Sequence, residues 1–406
     1  MIDAIYNALD ALGAGARAAF SPTGLPNLVM IGISLTMFWL AIKKEVEPLL
    51  LLPIGFGCLL ANLPLSDVMN IPGTNLPNHE GFLRVMYDMG IGNELFPLLI
   101  FVGIGSMTDF TPLLARPKMI LFGAAGQLGI FLTLLVALLI LPYIPGINPA
   151  QIKETAISIA VIGACDGPTV IYVSNLFAGL GKIDHSMVGA LAVAAYSYMA
   201  LVPIIQPPIM RLMTTAKERA TPIPPAKNKV SKTALIFFPI LVVVLTGIIA
   251  PKGLPLMGSI MLGNFLKMSG VVPRLTQCSE NEIANISTLF LGLAIGGTMA
   301  GQEFLKSQTL MVFALGLMAI VVDTVGGLLL GKIWYKLSGG KMNPLIGAAG
   351  ISAYPMAARI VQVEGLKANH QNHLLMNAMG ANTGGQIGSV MAASIMLAIL
   401  KGMGLI

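Results

Sequence analysis

Apolar runs of about 17 to 25 residues recur along almost the whole chain, and they limit its fold more than any other feature of the sequence. A helix of that length crosses a hydrocarbon core of about 30 Å. Charged residues make up only 10% of the 406 residues, against roughly 25% in an average soluble domain. Such a chain cannot cover its core with water-facing groups, so the sequence predicts an all-α polytopic membrane protein.

The candidate membrane segments cover both halves of the chain. They are residues 27–43, 47–63, 96–113, 119–143, 155–178, 187–213, 234–250, 253–270, 286–304, 309–335, 343–362 and 372–400. Some of them can be re-entrant or interfacial, so we expect about 9 to 12 crossings. Before them, Ile2, Ile5, Leu9 and Leu12 share one helical face, which predicts an amphipathic N-terminal segment at residues 1–26.

The net charge of +6 does not indicate a nucleic-acid partner. The basic residues lie in short loops between apolar runs, as the positive-inside rule requires, and do not form one patch. Cys58, Cys165 and Cys278 are far apart and form no CxxC pair, which excludes a disulfide scaffold and a zinc site. GGLLLGK at Gly326–Lys332 lacks the Ser or Thr of a phosphate-binding loop, so no nucleotide site is visible.

Two halves of the sequence resemble each other on either side of a basic, proline-containing linker. IGSMTDF (104–110) is echoed by IGGTMAGQEF (295–304), VIGACDGPT (161–169) by LIGAAGISAYP (345–355), and GALAVAAYSYMA (189–200) by HLLMNAMGANTG (373–384). Paired repeats of this kind are typical of secondary transporters, which bind their ions at the repeat interface. Inverted and parallel repeats are not separable here, and we take the inverted arrangement as the working expectation.

These features give the chain six parts. They are the N-terminal segment (1–26), N-terminal membrane helices and a loop (27–95), repeat 1 (96–213), a cytoplasmic linker (214–233), connecting membrane segments (234–285) and repeat 2 (286–406).

The segment AISIAVIGACDGPTVIYVSN contains Gly, Pro and Asp, so it cannot form an ordinary lipid-facing helix. We expect a break that lines a cavity, with Asp166 at the break. A carboxylate inside a membrane helix costs about 2.5–3.5 kcal/mol on insertion scales, and a bound cation or proton usually offsets that cost. The alternative is that Asp166 only caps the second half-helix.

Two later segments resemble the first in their prolines, glycines and small polar residues. Residues 343–361 (NPLIGAAGISAYPMAARIV) contain Ser352 and Arg359, and residues 377–389 (NAMGANTGGQIGS) contain Asn382. Carboxylate, amide, hydroxyl and carbonyl oxygens suit a hard cation such as Na+. The alternative for each is polar contact between packed helices. Asp109 and Asp323, the other acids in or beside apolar runs, are second candidates.

Over nearly the full chain, the strings GACDGPT, VAAYSYMALVPIIQPPIM, NPLIGAAGISAYPMAAR and GANTGGQIGS resemble the beta subunit of the biotin-dependent, Na+-translocating decarboxylases. That family acts on oxaloacetate, methylmalonyl-CoA, glutaconyl-CoA or, in a related system, malonate. The resemblance implies a translocase subunit that decarboxylates carboxybiotin and couples this to Na+ export with proton consumption.

The resemblance also implies residue roles. The Na+ ligands are expected to be Asp166, Asn343, Ser352 and Asn382, with Gly163, Gly347 and Gly384 as supporting backbone; Tyr198 and Arg359, with Asp166, are expected to serve the chemistry. No biotin-accepting Met-Lys-Met motif occurs in this chain, so biotin is expected on a partner. The implied partners are a carboxyltransferase subunit, a biotin carrier subunit and a small membrane subunit. The implied location is a bacterial inner membrane, and a homo-oligomer of this chain within the complex is compatible with the resemblance.

Two questions stay open at this stage. A stand-alone Na+-coupled secondary transporter or Na+/H+ antiporter explains the broken helices and Asp166 equally well. If the Asp166 segment is a re-entrant hairpin, the basic loops at 43–44, 116–118 and 211–232 all face the cytoplasm; if it crosses fully, the first two face outward.

Overall fold

The computed structural model describes residues 13–22, 24–45, 47–70, 80–224 and 229–402, and within these ranges it consists of helices and loops without a β-strand. Six of its helices are long and apolar enough to cross a membrane. The predicted all-α membrane class is therefore confirmed. Residues 1–12 of the predicted N-terminal segment lie outside the described residues, and residues 13–19 are helical.

The main helices are numbered here in chain order. They are α1 (Leu25–Lys43), α2 (Pro48–Asn62), α3 (Leu95–Met107), α4 (Leu128–Ile140), α5 (Ile152–Ala160), α6 (Gly167–Gly179), α7 (His185–Met213), α8 (Lys232–Ile249), α9 (Leu254–Ser269), α10 (Ala284–Gly297), α11 (Ser307–Leu337), α12 (Met356–Ala368) and α13 (Leu375–Gly402).

The membrane-spanning helices differ in length. By length and composition α1, α7, α8, α11, α13 and the stretch Pro117–Tyr143 around α4 qualify alone, and Phe82–Gly92 with α3 forms a further candidate bent by 59°. Helices α2, α9 and α10 have only 15, 16 and 14 residues. The expected 9 to 12 crossings therefore have to include these three shorter helices.

The same order of elements occurs twice in the described chain, in residues 25–213 and 232–402. Each half has two helices, a helix entered through a π-helical turn, a helix of four or five residues, a long helical stretch (broken at residues 126–127 in the first half), a broken segment and a last long helix. The predicted repeats at 96–213 and 286–406 leave out α1, α2, α8 and α9, although these helices occupy matching places.

The two broken segments lie in the core. The first hairpin comprises residues 152–179, and the second hairpin comprises residues 344–368. Residues 154–175 and 343–353 are buried throughout, whereas only 11% of the residues of α8 are buried. Helices such as α8 thus lie at the surface of the protein, while residues 154–175 and 343–353 of the hairpins are surrounded by it.

The second hairpin begins and ends beside the linker. The Asn343 amide donates to the carbonyl oxygens of Arg219 and Thr221, both at 2.8 Å, and Asn372 beyond the other end donates to Arg219 at 2.8 Å. Because both ends contact Arg219 of the linker, this segment enters and leaves on one side, here called the linker side.

The first hairpin opens on the opposite side. The Arg116 guanidinium donates a hydrogen bond to the Pro224 oxygen of the linker. The stretch Pro117–Tyr143 therefore starts on the linker side and ends on the side away from the linker. Helix α7 reaches the linker at Met213, and its 29 residues span about 43 Å. The segment between them therefore starts and ends on the side away from the linker, as expected for a re-entrant hairpin and not for a crossing helix.

Candidate functional site

The first hairpin is broken where the sequence predicts it. Helix α5 tightens into a 3-10 turn at Val161–Ala164, Cys165 adopts a left-handed conformation with φ 51°, and α6 starts at Gly167. Pro168 stands in the first turn of α6, where its missing N–H leaves no carbonyl unpaired. Asp166 therefore lies at the tip of the hairpin, between two half-helices.

Asp166 is a carboxyl group with almost no access to solvent, since only 2% of it is exposed. Its Oδ2 atom accepts a hydrogen bond from the Thr169 hydroxyl at 2.6 Å. The carboxyl group stands at the positive end of the α6 dipole. One hydroxyl donor and a helix end only partly compensate a buried negative charge, so this position favours a bound cation.

Tyr196, and not Tyr198, packs against this break. A side chain at Gly167 would overlap the Tyr196 ring, and the buried Tyr196 hydroxyl has no hydrogen-bond partner. The Tyr198 hydroxyl donates to the backbone oxygen of Phe313 on α11. The structure thus directs Tyr198 to the neighbouring helix and brings Tyr196 beside Asp166.

Ser352 and Asn382 come together at the tip of the second hairpin. The Ser352 hydroxyl donates to the Gly385 oxygen of α13 at 2.8 Å. From the same helix, Asn382 donates to the carbonyl oxygens of Ala349 at 3.1 Å and Ile351 at 2.7 Å. Both residues are buried, so α13 and the tip form one polar contact inside the protein.

Three glutamines that the sequence interpretation did not single out hold the same tip. Gln386 donates to the Ser352 oxygen at 2.6 Å, Gln206 to the Ala348 oxygen at 2.8 Å, and Gln127 to the Gly350 oxygen at 3.3 Å. They come from α13, α7 and the break before α4. In the sequence, each of them is a single Gln within a string of small or apolar residues: GAAGQLG, VPIIQPP and GGQIGS.

The oxygen atoms of these amides have no hydrogen-bond donor. Among the described side chains this applies to the buried Oδ1 of Asn382 and Oε1 of Gln127, Gln206 and Gln386. Each NH2 group already donates a hydrogen bond to a backbone carbonyl oxygen. If an amide were flipped, its own oxygen would face that carbonyl oxygen, and two acceptors would be in contact. The tip is therefore surrounded by neutral oxygens of the kind that hard cations prefer.

Asn343 and Arg359 lie apart from these groups. Asn343 uses its NH2 group on the linker and its Oδ1 atom on the Leu345 N–H at 3.0 Å, so its amide is fully bonded. Arg359 is exposed on α12. The structure places neither of them among the buried polar atoms of the two tips.

The expected supporting glycines stand at close backbone contacts. A side chain at Gly347 would overlap the Gly327 oxygen of α11, and a Cβ atom at Gly384 would lie 3.1 Å from the Cα atom of Ile120. At Gly163 it would lie 2.9 Å from a carboxyl oxygen of Asp323. All three therefore allow the hairpins and α13 to pack tightly.

The two tips share one neighbour, because α13 packs against both hairpins. Near the start of this helix a cavity of about 520 Å³ lies on the linker side, lined by Arg116, Ile223, His373 and Asn377 among others. Asn377 precedes Asn382 by five residues, or roughly 8 Å of helix rise. The cavity has the volume of a small-molecule site and lies close to the second tip.

Within the described residues no group of three or more His, Cys, Asp and Glu side chains could hold a metal ion. A cation at the hairpin tips would depend on a single carboxylate and on neutral oxygens, which suits Na+ and not a transition metal.

Comparison with known proteins gives one consistent result. Residues 26–400 match the family model described as the Na+-transporting oxaloacetate decarboxylase beta subunit. The chain is 44% identical over 375 residues to methylmalonyl-CoA decarboxylase subunit beta of Veillonella parvula, covering 92% of this chain and 93% of that protein. It is 42% identical to the oxaloacetate decarboxylase beta chain of Klebsiella pneumoniae (92% and 95% covered) and 44% identical to glutaconyl-CoA decarboxylase subunit beta of Acidaminococcus fermentans (93% and 94% covered).

Proposed function

Because the chain belongs to the family of Na+-transporting decarboxylase beta subunits, we propose that it couples decarboxylation of carboxybiotin, delivered by a partner subunit, to Na+ export with consumption of a proton. Its proposed setting is a bacterial inner membrane, in a complex with a carboxyltransferase subunit, a biotin carrier subunit and a small membrane subunit. The observation that supports this most is the buried Asp166 carboxyl group at the tip of the first hairpin.

The proposed Na+ ligands are Asp166 at the first tip and Ser352, Asn382 and Gln386 at the second. One carboxylate with hydroxyl and amide oxygens neutralises Na+ and replaces part of its water shell. Asn343 is left out of this set, because its amide is bonded to the linker.

Decarboxylation of carboxybiotin supplies the free energy: the N–CO2 bond breaks, CO2 leaves and the ring nitrogen takes up a proton. Each Na+ moved against 100 mV requires about 2.3 kcal/mol before any concentration term. Coupling follows if Na+ and the carboxyl carrier both favour the same one of two conformations. Tyr198 and Arg359 remain candidates for proton delivery and charge balance, and Tyr196 joins them because of its position beside Asp166.

The cavity on the linker side is the proposed entrance for carboxybiotin. Arg116 contributes a positive charge for a carboxylate, while Ile223 contributes an apolar wall. We expect Ile223→Trp to fill the cavity, to lower the decarboxylation rate at least tenfold and to leave the Na+ concentration for half-maximal rate unchanged. Lys229→Trp, at an exposed linker position, is the control; equal rates in both variants would place the entrance elsewhere.

The central test measures avidin-sensitive decarboxylation by the reconstituted complex as a function of Na+. We expect Asp166→Asn to lose the stimulation by Na+, because a neutral amide cannot balance the ion in a buried site. Asp184→Asn removes a carboxylate from an exposed position and should retain it.

Loss of Na+ stimulation in Asp166→Asn alone supports the pump with Asp166 as a ligand. Wild-type turnover that does not depend on Na+, or an Asp166→Asn variant that behaves as wild type, would favour a stand-alone transporter instead.

A further inference from the structure

Asp323 is a second buried carboxyl group that the proposed ion site does not use. It lies in the middle of α11, one of the six candidate membrane-spanning helices, and none of it is exposed. Its Oδ1 atom accepts the backbone N–H of Gly129 in the first turn of α4. Its Oδ2 atom is buried without a hydrogen-bond partner. Capping of α4 therefore accounts for one carboxyl oxygen and leaves the other unexplained.

The free oxygen faces the first hairpin. A Cβ atom at Gly163, three residues before Asp166, would lie 2.9 Å from Oδ2. The thiol of Cys165 is close enough to interact electrostatically with both Asp323 and Asp166. The two carboxyl groups thus approach the same tip from two different elements, α11 and the hairpin itself.

No basic side chain in the described structure neutralises Asp323. Helix α4 and residues 120–125, 161–164 and 344–350 contain no titratable group. Among the side chains that the structure describes, the charged and titratable groups on the other surrounding elements are Lys153 (exposed) and Glu154 (buried) on α5, Cys165 and Asp166 at the tip, Tyr196, Tyr198 and Arg211 on α7, and Lys332, Tyr335 and Lys336 on α11. Arg211 is paired with Glu364, and Lys332 lies 3.8 Å from Glu218, both beside the linker.

The surroundings of Oδ2 suit a proton better than a metal ion. Oδ2 lies next to the Gly163 position, and the other two atoms nearest to that position are the backbone nitrogen of Ile130 and the Cβ atom of Ala319. Neither can ligate Na+, which requires several oxygens. A proton requires only the carboxyl oxygen itself.

We propose that Asp323 is a proton-binding site, neutral in the conformation described here, which exchanges one proton with water during the transport cycle. Binding forms the Oδ2–H bond and release breaks it, with no other bond changed. The site would keep a second negative charge away from the hairpin tip while Asp166 holds the cation. Only its part in turnover rests on the proposed function; protonation itself can be measured without turnover.

The first experiment compares the infrared spectra of the complete complex containing wild type and Asp323→Asn, in the absence of any acid substrate, as a difference spectrum. We expect wild type to show the C=O stretch of a protonated carboxylic acid, shifted in D2O and absent from Asp323→Asn. Asp166→Asn should retain the band. If Asp323→Asn does not assemble, Asp323→Glu should shift the band and serve in its place. A spectrum without the band would overturn the proposal, as would an ionised-carboxylate signal from Asp323 that changes on addition of Na+.

The second experiment measures decarboxylation against pH for wild type and Asp323→Asn. The wild-type rate should change tenfold per pH unit on at least one side of its pH optimum. We expect the variant to lose this dependence on at least one side while it remains stimulated by Na+. A band assigned to Asp323 with an unchanged pH profile would overturn the role in turnover. Loss of Na+ stimulation in Asp323→Asn would instead indicate a cation ligand and overturn the proton site.

Discussion

Glu364 attaches the second hairpin to α7 through a buried ion pair. Glu364 on α12 is 3% exposed and accepts two hydrogen bonds from Arg211 at the end of α7, both at 2.8 Å. Lys367 adds a third contact at 2.8 Å. The hydrogen bond from Arg211 is the largest effect on the Glu364 carboxyl; together with Lys367, and against the opposing effect of burial, it lowers the pKa of Glu364 from 4.5 to about 2. The returning arm of the hairpin is therefore held at the linker side by charge.

This pKa sets the pH range in which the pair contributes to stability. A carboxyl group with a lowered pKa in the folded state stabilises the fold above its unfolded pKa and loses that contribution as the pH falls. We expect thermal stability of the detergent-solubilised protein to fall between about pH 4.5 and 2 because of Glu364. Glu364→Gln should be less stable than wild type at pH 7 and should lack this part of the acid transition. An equal pH dependence in both proteins would contradict the assignment.

At this scale the sequence identifies residue types better than partners. The break at Asp166 could be predicted, because Gly, Pro and Asp inside one apolar segment disfavour a continuous helix. The contact of Gln386 could not, since it depends on which carbonyl oxygen the second hairpin brings to α13. Tyr196 and Tyr198 are two residues apart on one helix, so they point in nearly opposite directions. Only the position of Gly167 shows that Tyr196 faces the break.

Among the helices, glycines fix two crossings that mirror each other. A side chain at Gly57 of α2 would overlap the Leu293 oxygen of α10, and one at Gly263 of α9 would overlap the Val102 oxygen of α3. In the opposite direction, Gly296 meets α2 at Ile54 and Gly105 meets α9 at Ile260. The second helix of each half thus packs on the third helix of the other half. Such small-residue crossings are common in membrane helices, because they let backbones approach closely.

Helix α9 offers a matched pair of glycines to test this packing. Gly258 has open space around its position, whereas Gly263 lies against the backbone of α3. We expect Gly258→Ala to be neutral or to stabilise the protein by up to about 1 kcal/mol, through its helix propensity. Gly263→Ala should destabilise it by about 1–3 kcal/mol, because backbone atoms must move apart. Thermal unfolding in detergent checks both, and equal stabilities would show that the crossing tolerates a side chain.

At the level of elements, hydropathy predicted the long helices well and the short ones poorly. Helix α7 was expected at 187–213 and occupies His185–Met213. Helix α10 was expected to extend over 286–304 but ends at Gly297, before a separate helix at Gly301–Phe304. Apolar residues continue across such breaks, so only backbone geometry shows where one element stops. The same limit hid the first two helices of each half from the repeat comparison, which relied on short matching strings.

For the molecule as a whole, the contacts place the two hairpins in opposite orientations. The second is bounded by Asn343 and Asn372 on the linker side, and the first opens beyond the end of the Pro117–Tyr143 stretch. With the mirrored helix crossings, this supports our expectation of inverted repeats, and we propose that 25–213 and 232–402 are the repeating units. Two hairpins that open on opposite sides and share α13 as a neighbour suit the alternating-access arrangement that we propose for the ion site.

The hairpin orientation also decides the proposed topology. If the linker side is cytoplasmic, the basic loops at 43–44, 116–118 and 211–232 all face the cytoplasm, in agreement with the positive-inside rule. The ends of the first hairpin, marked by Lys153 and Lys182, would then both face the opposite side. A fully crossing segment would instead separate these two lysines.

Single-cysteine labelling in oriented vesicles distinguishes the two arrangements. A Cys278→Ser background removes the one native cysteine that is partly exposed, since Cys58 and Cys165 are buried. In that background we expect Lys153→Cys and Lys182→Cys to react with a membrane-impermeant maleimide from the same face. Lys341→Cys and Lys367→Cys, at the two ends of the second hairpin, should react only from the other face, where Lys229→Cys marks the linker. If Lys153→Cys and Lys182→Cys react from different faces, the first segment crosses the membrane, and the repeats cannot place their broken segments as two opposed hairpins.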